Sequence, residues 1–195
     1  MKKEVINSEG FGALNERNYA LLGLVGPLIA ILFIAVSIAL SPWFNWGTDA
    51  LSDLGHSIDS EVAPLFNFGL LLSGFLTIVF SVTSFRNHAK YTSYALVLVG
   101  LSLQLVATFD EIYKPFHFQV SVLFFGALGL ASISYFIEKR SRLALAALII
   151  GAVSWILYGL ETYSAGIAVP ETISSMATVT WVMLSALKIY LNKTT

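Results

Sequence analysis

The sequence predicts an all-α membrane protein, a bundle of six transmembrane helices with both termini in the cytoplasm. Hydrophobic residues make up 56% of the 195 residues and charged residues only 12%, whereas soluble domains carry about 25% charged residues. Uncharged runs recur at lengths that cross a bilayer, and Lys and Arg are concentrated in alternate segments between them. The apolar runs are continuous, which favours helices over the alternating pattern of a barrel.

Composition excludes several classes of protein. A mean hydropathy of +0.77 with so few charges excludes a soluble enzyme, a disordered protein and a nucleic-acid binder. The absence of cysteine excludes disulfides, thiolate catalysis, Cys-ligated zinc and iron–sulfur clusters. Membrane lipids are therefore the predicted partners, and the sequence specifies no oligomeric state.

The six predicted spans form one domain between a tail of residues 1–18 and a tail of residues 192–195. Roughly 20 helical residues cross a hydrocarbon core of about 30 Å, and the fifth run only just meets this length. The first run is not predicted to be a signal peptide, because it is too long and lacks a small-x-small cleavage site. The spans are predicted at residues 19–40, 62–85, 91–109, 116–137, 143–160 and 170–191.

Basic residues give the orientation. With the N-terminus inside, ten of the eleven Lys and Arg residues lie in inner segments, and only Lys114 lies outside. The positive-inside rule therefore predicts cytoplasmic termini. Eight acids with this one lysine give the outer face a formal charge of −7, and acids contribute little to topology. The outer face is thus predicted to use or tolerate negative charge.

The first outer loop is predicted to contain a short helix over residues 48–55, packed against the mouth of the bundle through Leu51 and Leu54. Thr48 is a plausible N-cap and Gly55 a plausible left-handed C-terminal residue. Asp49 and Asp53 would share one face, where like charges repel unless a cation or a buried partner intervenes. The alternative is that both acids only stabilise the loop.

The third and fourth spans are joined by a tight outer hairpin that brings Asp110, Glu111 and His117 to one level. Gln104, Thr108 and Glu111 form a polar stripe that should face the bundle, because unpaired polar groups are costly in hydrocarbon. Lys114 alone cannot neutralise the nearby acids. We therefore expect a polar site at the outer boundary, and its candidate ligand-binding residues are Asp49, Ser52, Asp53, His56, Asp110, Glu111, His117 and Glu161.

A divalent cation is one candidate ligand of this outer site. Asp53, Asp110, Glu111 and His117 would be its ligands, and an oxygen-rich set favours Ca²⁺, Mg²⁺ or Mn²⁺ over zinc. The alternative is that the acids cap helices and pair with Lys114. On the inner side, His88 lies between Arg86 and Lys90 and is predicted to be solvated.

Small-residue spacings predict close helix packing. They occur at Gly69 and Ser73, at Ala127 and Ala131, and at Ala147 and Gly151.

Several motifs together resemble a prokaryotic family of six-helix membrane proteins, the domain of unknown function DUF998. They are Gly23-x-x-Gly26-Pro27, Ser41-Pro42, Leu51-Ser52-Asp53-Leu54-Gly55, Phe66-Asn67-x-Gly69-Leu70 and His117 at the start of the fourth span. The resemblance implies six helices, a location in the plasma membrane and no established activity. More distantly, the chain is similar to Frag1/DRAM/Sfk1-type proteins.

Ser52-x-x-x-His56 with a later Asp110 also looks like part of the signature of the alkaline ceramidase and adiponectin-receptor superfamily of seven-helix zinc amidases. The chain departs from that pattern, because it has six spans and no His-x-x-x-His pair.

Three functional hypotheses follow for an integral membrane protein with an acidic outward-facing site. The first is non-enzymatic binding of a lipid headgroup, a small solute or a cation. The second is a membrane-embedded, metal-dependent lipid hydrolase or transferase, and the third is a cation transporter or channel. The sequence favours the first, because no complete set of nucleophile, base and orienting residue is present and no charge lies midway through a span.

Overall fold

Six long apolar helices form the protein in a computed structural model, which describes residues 17–191. Each is long and apolar enough to cross a membrane, and no strand occurs in this described part. The all-α, six-helix prediction is therefore confirmed. Of the two predicted tails, residues 1–16 and 192–195 lie outside the described residues. The helices are α1 (Leu22–Ala39), α2 (Ala63–Phe80), α3 (Lys90–Thr108), α4 (Phe116–Lys139), α5 (Arg142–Gly159) and α6 (Ala168–Leu191).

The helix ends follow local sequence signals. Pro64 lies in the first turn of α2, where the missing N–H has no helical partner to lose. Beyond Phe80, α2 continues through a π-helical turn, Ser81–Phe85, into Arg86–His88. The Ser141 hydroxyl caps α5 by accepting the N–H of Ala144.

Each helix packs against its neighbours in sequence, and α6 also packs against α1 and α4, which closes the bundle. Successive helices alternate in direction, so their connections separate into two ends. The acidic end holds the connections α1–α2, α3–α4 and α5–α6, and the basic end holds α2–α3 and α4–α5. The basic end includes Arg86, Lys90, Lys139, Arg140 and Arg142.

An aromatic core fills the basic end. Trp181 is 1% exposed and stacks on Tyr135 with ring centroids 4.6 Å apart. The Tyr135 hydroxyl accepts a hydrogen bond from Ser185 and lies 3.0 Å from Nε2 of His88. The prediction that His88 is solvated is therefore wrong. The ring is half-buried because α2 extends past Phe85 and turns His88 toward α4.

Small residues lie at helix contacts, as their spacing predicted. Ala127 and Ala131 of α4 and Ala147 of α5 are buried in the main core. A Cβ on Gly69 would collide with the Phe33 side chain of α1, and one on Gly151 would come within 3.3 Å of Ser174. These positions let neighbouring helices approach closely.

The predicted helix over residues 48–55 is shorter and of a different type. A 3₁₀-helix spans Leu51–Gly55, and the Asp53 carboxylate accepts the N–H of Ala50 in place of a Thr48 cap. Gly55 does not adopt a left-handed conformation. It is buried so tightly that an added Cβ would lie 2.6 Å from Oδ1 of Asn67, so its small size, not its backbone freedom, is what the site requires.

The same loop packs on the bundle as predicted. Leu54 is fully buried in a second core with Phe66, Leu70 and Ala107, and Leu51 packs against that core. The Ser60 hydroxyl donates to the carbonyl of Leu54. The loop is therefore part of the folded domain.

Leu54→Asp is expected to destabilise the protein by about 3 kcal/mol or more, since it places an unpaired charge in an apolar core. The measurement is thermal unfolding in detergent. Ile58→Asp is the matched control, because Ile58 in the same loop is 74% exposed. Equal stability of the two variants would contradict the packing of this loop.

Candidate functional site

The α1–α2 loop crosses the acidic end and is bound to the start of α6. The backbone carbonyl of Trp46 accepts a hydrogen bond from the N–H of Gly166 at 2.8 Å. The backbone carbonyl of Asp49 accepts one from the N–H of Ala168 at 3.0 Å. A Cβ on Gly166 would lie 2.5 Å from the Asp49 carbonyl oxygen. Only glycine allows the two segments to approach this closely.

Glu111, in the α3–α4 hairpin, is the centre of a polar cluster. Its Oε1 accepts a hydrogen bond from the Ser52 hydroxyl at 2.9 Å and lies 3.2 Å from Nε2 of His117. Its Oε2 lies 3.0 Å from Nζ of Lys114. The Glu111 side chain is 11% exposed. One carboxylate thus joins the first loop, the hairpin and α4.

These contacts change the titration of the cluster. The hydrogen bond from His117, assisted by those from Lys114 and Ser52, lowers the pKa of Glu111 from 4.5 to about 2 against the opposing effect of burial. The hydrogen bond to Glu111 raises the pKa of Lys114 above its usual value. Glu111 is therefore a carboxylate throughout the physiological pH range.

His117 faces oxygen atoms through both ring nitrogens. Nδ1 lies 2.7 Å from the carbonyl oxygen of Phe109, and Nε2 faces Glu111 and, at 3.3 Å, the Ser121 hydroxyl. The Phe109 carbonyl is an acceptor only, so Nδ1 donates to it, and in the imidazolium form Nε2 donates to the Glu111 carboxylate. In that form His117 has no lone pair with which to activate a serine.

Glu171, near the start of α6, belongs to the same end of the bundle but was not among the candidate site residues. Its Oε2 accepts the N–H of Leu51 at 2.7 Å, and the residue is 8% exposed. The sequence contained a signal for it, because Glu171 is the only acid within the predicted sixth span, and ionisable residues inside spans point to function.

The other candidates have partners of their own. Asp49 accepts the N–H of Asn45, Asp53 that of Ala50, and Asp110 that of Ile112. His56 accepts the backbone N–H of Asp59 through Nδ1, and Glu161 is exposed. Of the eight candidates, the structure joins Ser52, Glu111 and His117 by direct contacts. Asp49, Asp53 and Asp110 fix the backbone, which is the structural role considered for them.

The predicted polar stripe on α3 only partly faces inward. Gln104 donates to the carbonyl of Leu71, whereas Thr108 is exposed and donates to the carbonyl of Gln104 in its own helix. The Thr108 hydroxyl has its hydrogen-bond acceptor within α3, so Thr108 needs no partner from another helix.

The metal hypothesis gains no support from this geometry. Within residues 17–191, no group of three or more His, Asp or Glu side chains is arranged to hold a metal ion. The Asp53 and Asp110 carboxylates each accept a backbone N–H, and both ring nitrogens of His117 face oxygen atoms of the protein.

A cavity of about 280 Å³ extends from the acidic end into the bundle. Its wall is mainly aliphatic and aromatic, and its polar lining residues include Ser52, Ser121, Ser175 and Glu171. It lies between α1, α2, α3, α4 and α6, where its lining includes Ile34, Leu70, Leu103, Phe125 and Val179. The cavity therefore combines apolar walls with one carboxyl group.

The lining of the cavity includes exposed residues of α1 and α6 and the exposed Trp46 of the first loop. These helices are in contact near Gly23, where a Cβ would lie 2.8 Å from that of Ala186. Toward the acidic end, the lining residues Ala35 of α1 and Met176 of α6 are exposed. These two lining residues thus lie on the side of the bundle that the membrane surrounds.

Comparison with known proteins identifies a family. The family model described as "Protein of unknown function (DUF998)" matches residues 24–188. No curated protein and no solved structure matches the chain. The matched region includes nearly all of the six helices and both sides of the cavity.

Proposed function

We propose a function from the premise that the chain belongs to the DUF998 family: this integral membrane protein binds an alkyl chain of a membrane amphiphile inside its helix bundle. The observation that carries the proposal is the cavity, with its apolar walls and the carboxyl group of Glu171. Apolar walls with a few placed polar groups are typical of small-molecule sites.

The size of the cavity favours a single chain. At about 280 Å³ it lies near the lower limit of ligand pockets, which hold roughly 300–1,000 Å³. That volume suits a single-chain amphiphile or one chain of a lipid. Apolar cavities of this kind hold water poorly, and an alkyl chain fills them with favourable contacts.

We take the exposed lining on α1 and α6 as a side opening of the cavity, which supports entry from the bilayer. A ligand that partitions into lipid reaches the cavity between Ala35 and Met176 without crossing the polar loop. Its polar group would then lie at the acidic end, near Ser52 and Glu171. We place this end on the outer face of the plasma membrane and both termini in the cytoplasm, because Lys and Arg collect at the opposite end.

The topology has its own test. Reporter fusions after Ser141, between α4 and α5, and after Ala165, between α5 and α6, are expected to report the cytoplasm and the outside, respectively. Fusion activities of alkaline phosphatase and green fluorescent protein measure this. The same side for both positions, or the reverse pair, would refute the orientation.

The binding proposal is tested with a photoreactive dodecanol that carries a diazirine in its chain. The protein is reconstituted in phosphatidylcholine nanodiscs, illuminated, and mapped by mass spectrometry. We expect cross-links on cavity-lining residues of α1 and α6, and unlabelled dodecanol should compete for them. Cross-links confined to lipid-facing surfaces would refute the proposal.

Filling the cavity supplies the matched control. Ala30→Phe and Val179→Phe place a ring in the cavity from α1 and from α6, respectively, and should remove the competed cross-links. Ala152→Phe adds the same ring to an exposed position of α5, which does not line the cavity, and should leave them unchanged. Equal cross-linking of the filled and control variants would count against the site.

A further inference from the structure

Glu171 is the only ionisable side chain that lines the cavity in the described part of the chain. The residue is 8% exposed, and its Oε2 accepts one backbone hydrogen bond, from Leu51. Nearby cations are already used, because Lys114 and His117 both pair with Glu111, and neither of them lines the cavity. The cavity therefore presents a carboxyl group to its occupant with no counter-charge of its own.

A buried carboxylate with a single peptide hydrogen bond is costly. A cation placed in the cavity would offset that cost by direct charge pairing and hydrogen bonding. An anionic group would bind poorly in the cavity, since no Lys or Arg lines it and Glu171 would repel the negative charge. The electrostatics of the cavity thus discriminate between amphiphiles by the charge of their polar group.

We infer that the occupant of the cavity is an amphiphile with a protonated amine, bound with its nitrogen at Glu171 and its alkyl chain along the apolar wall. This inference rests on the proposed function, because it names the polar group of the same ligand. An ammonium group has three donors. Glu171 accepts one, and the hydroxyls of Ser175, Ser52 and Ser121, which line the same cavity, are available acceptors for the others.

The experiment uses the dodecanol photoprobe in nanodiscs, with dodecylamine, dodecanol and dodecanoate as unlabelled competitors of equal chain length. In the wild type, we expect dodecylamine to halve the cavity cross-link at a concentration at least tenfold below that of dodecanol, and dodecanoate to be the weakest. Glu171→Gln should bring the amine and the alcohol within about twofold of each other. Because the glutamine amide keeps a side-chain oxygen for the N–H of Leu51, the loop contact can persist in this variant.

Glu161→Gln is the control, since Glu161 is an exposed acid at the same end and lies outside the cavity. This variant should retain the tenfold preference for dodecylamine over dodecanol. Loss of the preference in Glu171→Gln alone then shows recognition of the amine by Glu171, and not a general effect of surface charge on the local amine concentration. Equal competition by dodecylamine and dodecanoate in the wild type would overturn the inference even where Glu171→Gln fails to fold. Absence of any cavity cross-link would overturn the proposed function instead, so the two failures are distinguishable.

Discussion

Glu111→Gln is expected to unfold the acidic end at much lower temperature than in the wild type, with a loss of about 3 to 5 kcal/mol. Both carboxylate oxygens are used, Oε1 by Ser52 and His117 and Oε2 by Lys114. His117 is 6% exposed in its side chain, so the substitution leaves a buried cation without its partner. Breaking a buried ion pair from one side costs about this much.

The pH dependence of stability should reveal the same contact. The pKa of Glu111 is lowered from 4.5 to about 2 in the folded protein, so its contribution is complete above about pH 4.5 and is lost as pH falls toward 2. Thermal unfolding in detergent between about pH 6 and about pH 2.5 measures it. The unfolding temperature of the wild type should fall through this range, and that of Glu111→Gln should fall less.

Glu161→Gln controls for the loss of a surface acid at the same end of the bundle. Glu161 is exposed, and exposed charges contribute little to stability. We therefore expect wild-type stability and a wild-type pH profile from this variant. If the two glutamine variants unfold at the same temperature, Glu111 does not hold the loop, the hairpin and α4 together.

The fold was predictable from sequence because the membrane imposes a simple rule. Every backbone polar group must be satisfied within the segment, so length and hydropathy alone locate helices. Observed helix limits such as Phe116–Lys139 and Arg142–Gly159 lie within two residues of the predicted spans. Small-residue spacing also predicted some helix contacts, such as that of Gly69 with Phe33, because small residues let neighbouring helices approach closely.

The site was only partly predictable. Hairpin geometry brought Glu111 and His117 together in the prediction, and the structure joins them with Ser52. The position of Glu171 in the sixth span was a signal for function, but its contact with Leu51 depends on how α6 meets the first loop, which no local pattern specifies. The cavity was not foreseen either, since a packing gap between apolar helices leaves no trace in hydropathy. Carboxylates such as those of Asp53 and Asp110 are common metal ligands, but here each accepts a hydrogen bond from a neighbouring backbone N–H.

Gly100→Leu is expected to prevent stable packing of α2 against α3, at a cost of about 3 kcal/mol or more. A Cβ on Gly100 would lie 2.7 Å from the carbonyl oxygen of Gly74, and one on Gly74 would lie 2.6 Å from that of Gly100. The two backbones are thus in direct contact, and a backbone cannot rotate away as a side chain can. Overpacking costs typically about 1–3 kcal/mol and more where the surroundings cannot yield.

Gly126→Leu in α4 is the matched control, because nothing lies within 4 Å of an added Cβ there. Leucine exceeds glycine in helix propensity by roughly 1 kcal/mol, so propensity alone favours both substitutions. The two sites differ in packing, because the added side chain collides with α2 at Gly100 and meets no neighbouring atom at Gly126. Thermal unfolding in detergent should therefore show a large loss for Gly100→Leu and none for Gly126→Leu, and equal stability would disprove the close contact of α2 with α3.

The same contact sets one wall of the cavity, which connects packing to the proposed ligand. Leu70 and Thr77 of α2, one turn on either side of Gly74, line the cavity with Leu96 and Leu103 of α3. Gly100→Ala, a smaller insertion, should separate these helices slightly while the protein stays folded. We expect it to lower the unfolding temperature less than leucine does and to weaken competition by dodecanol for the cavity cross-link, because looser walls make fewer contacts with a single alkyl chain. Unchanged competition would show that the α2–α3 contact does not shape the cavity.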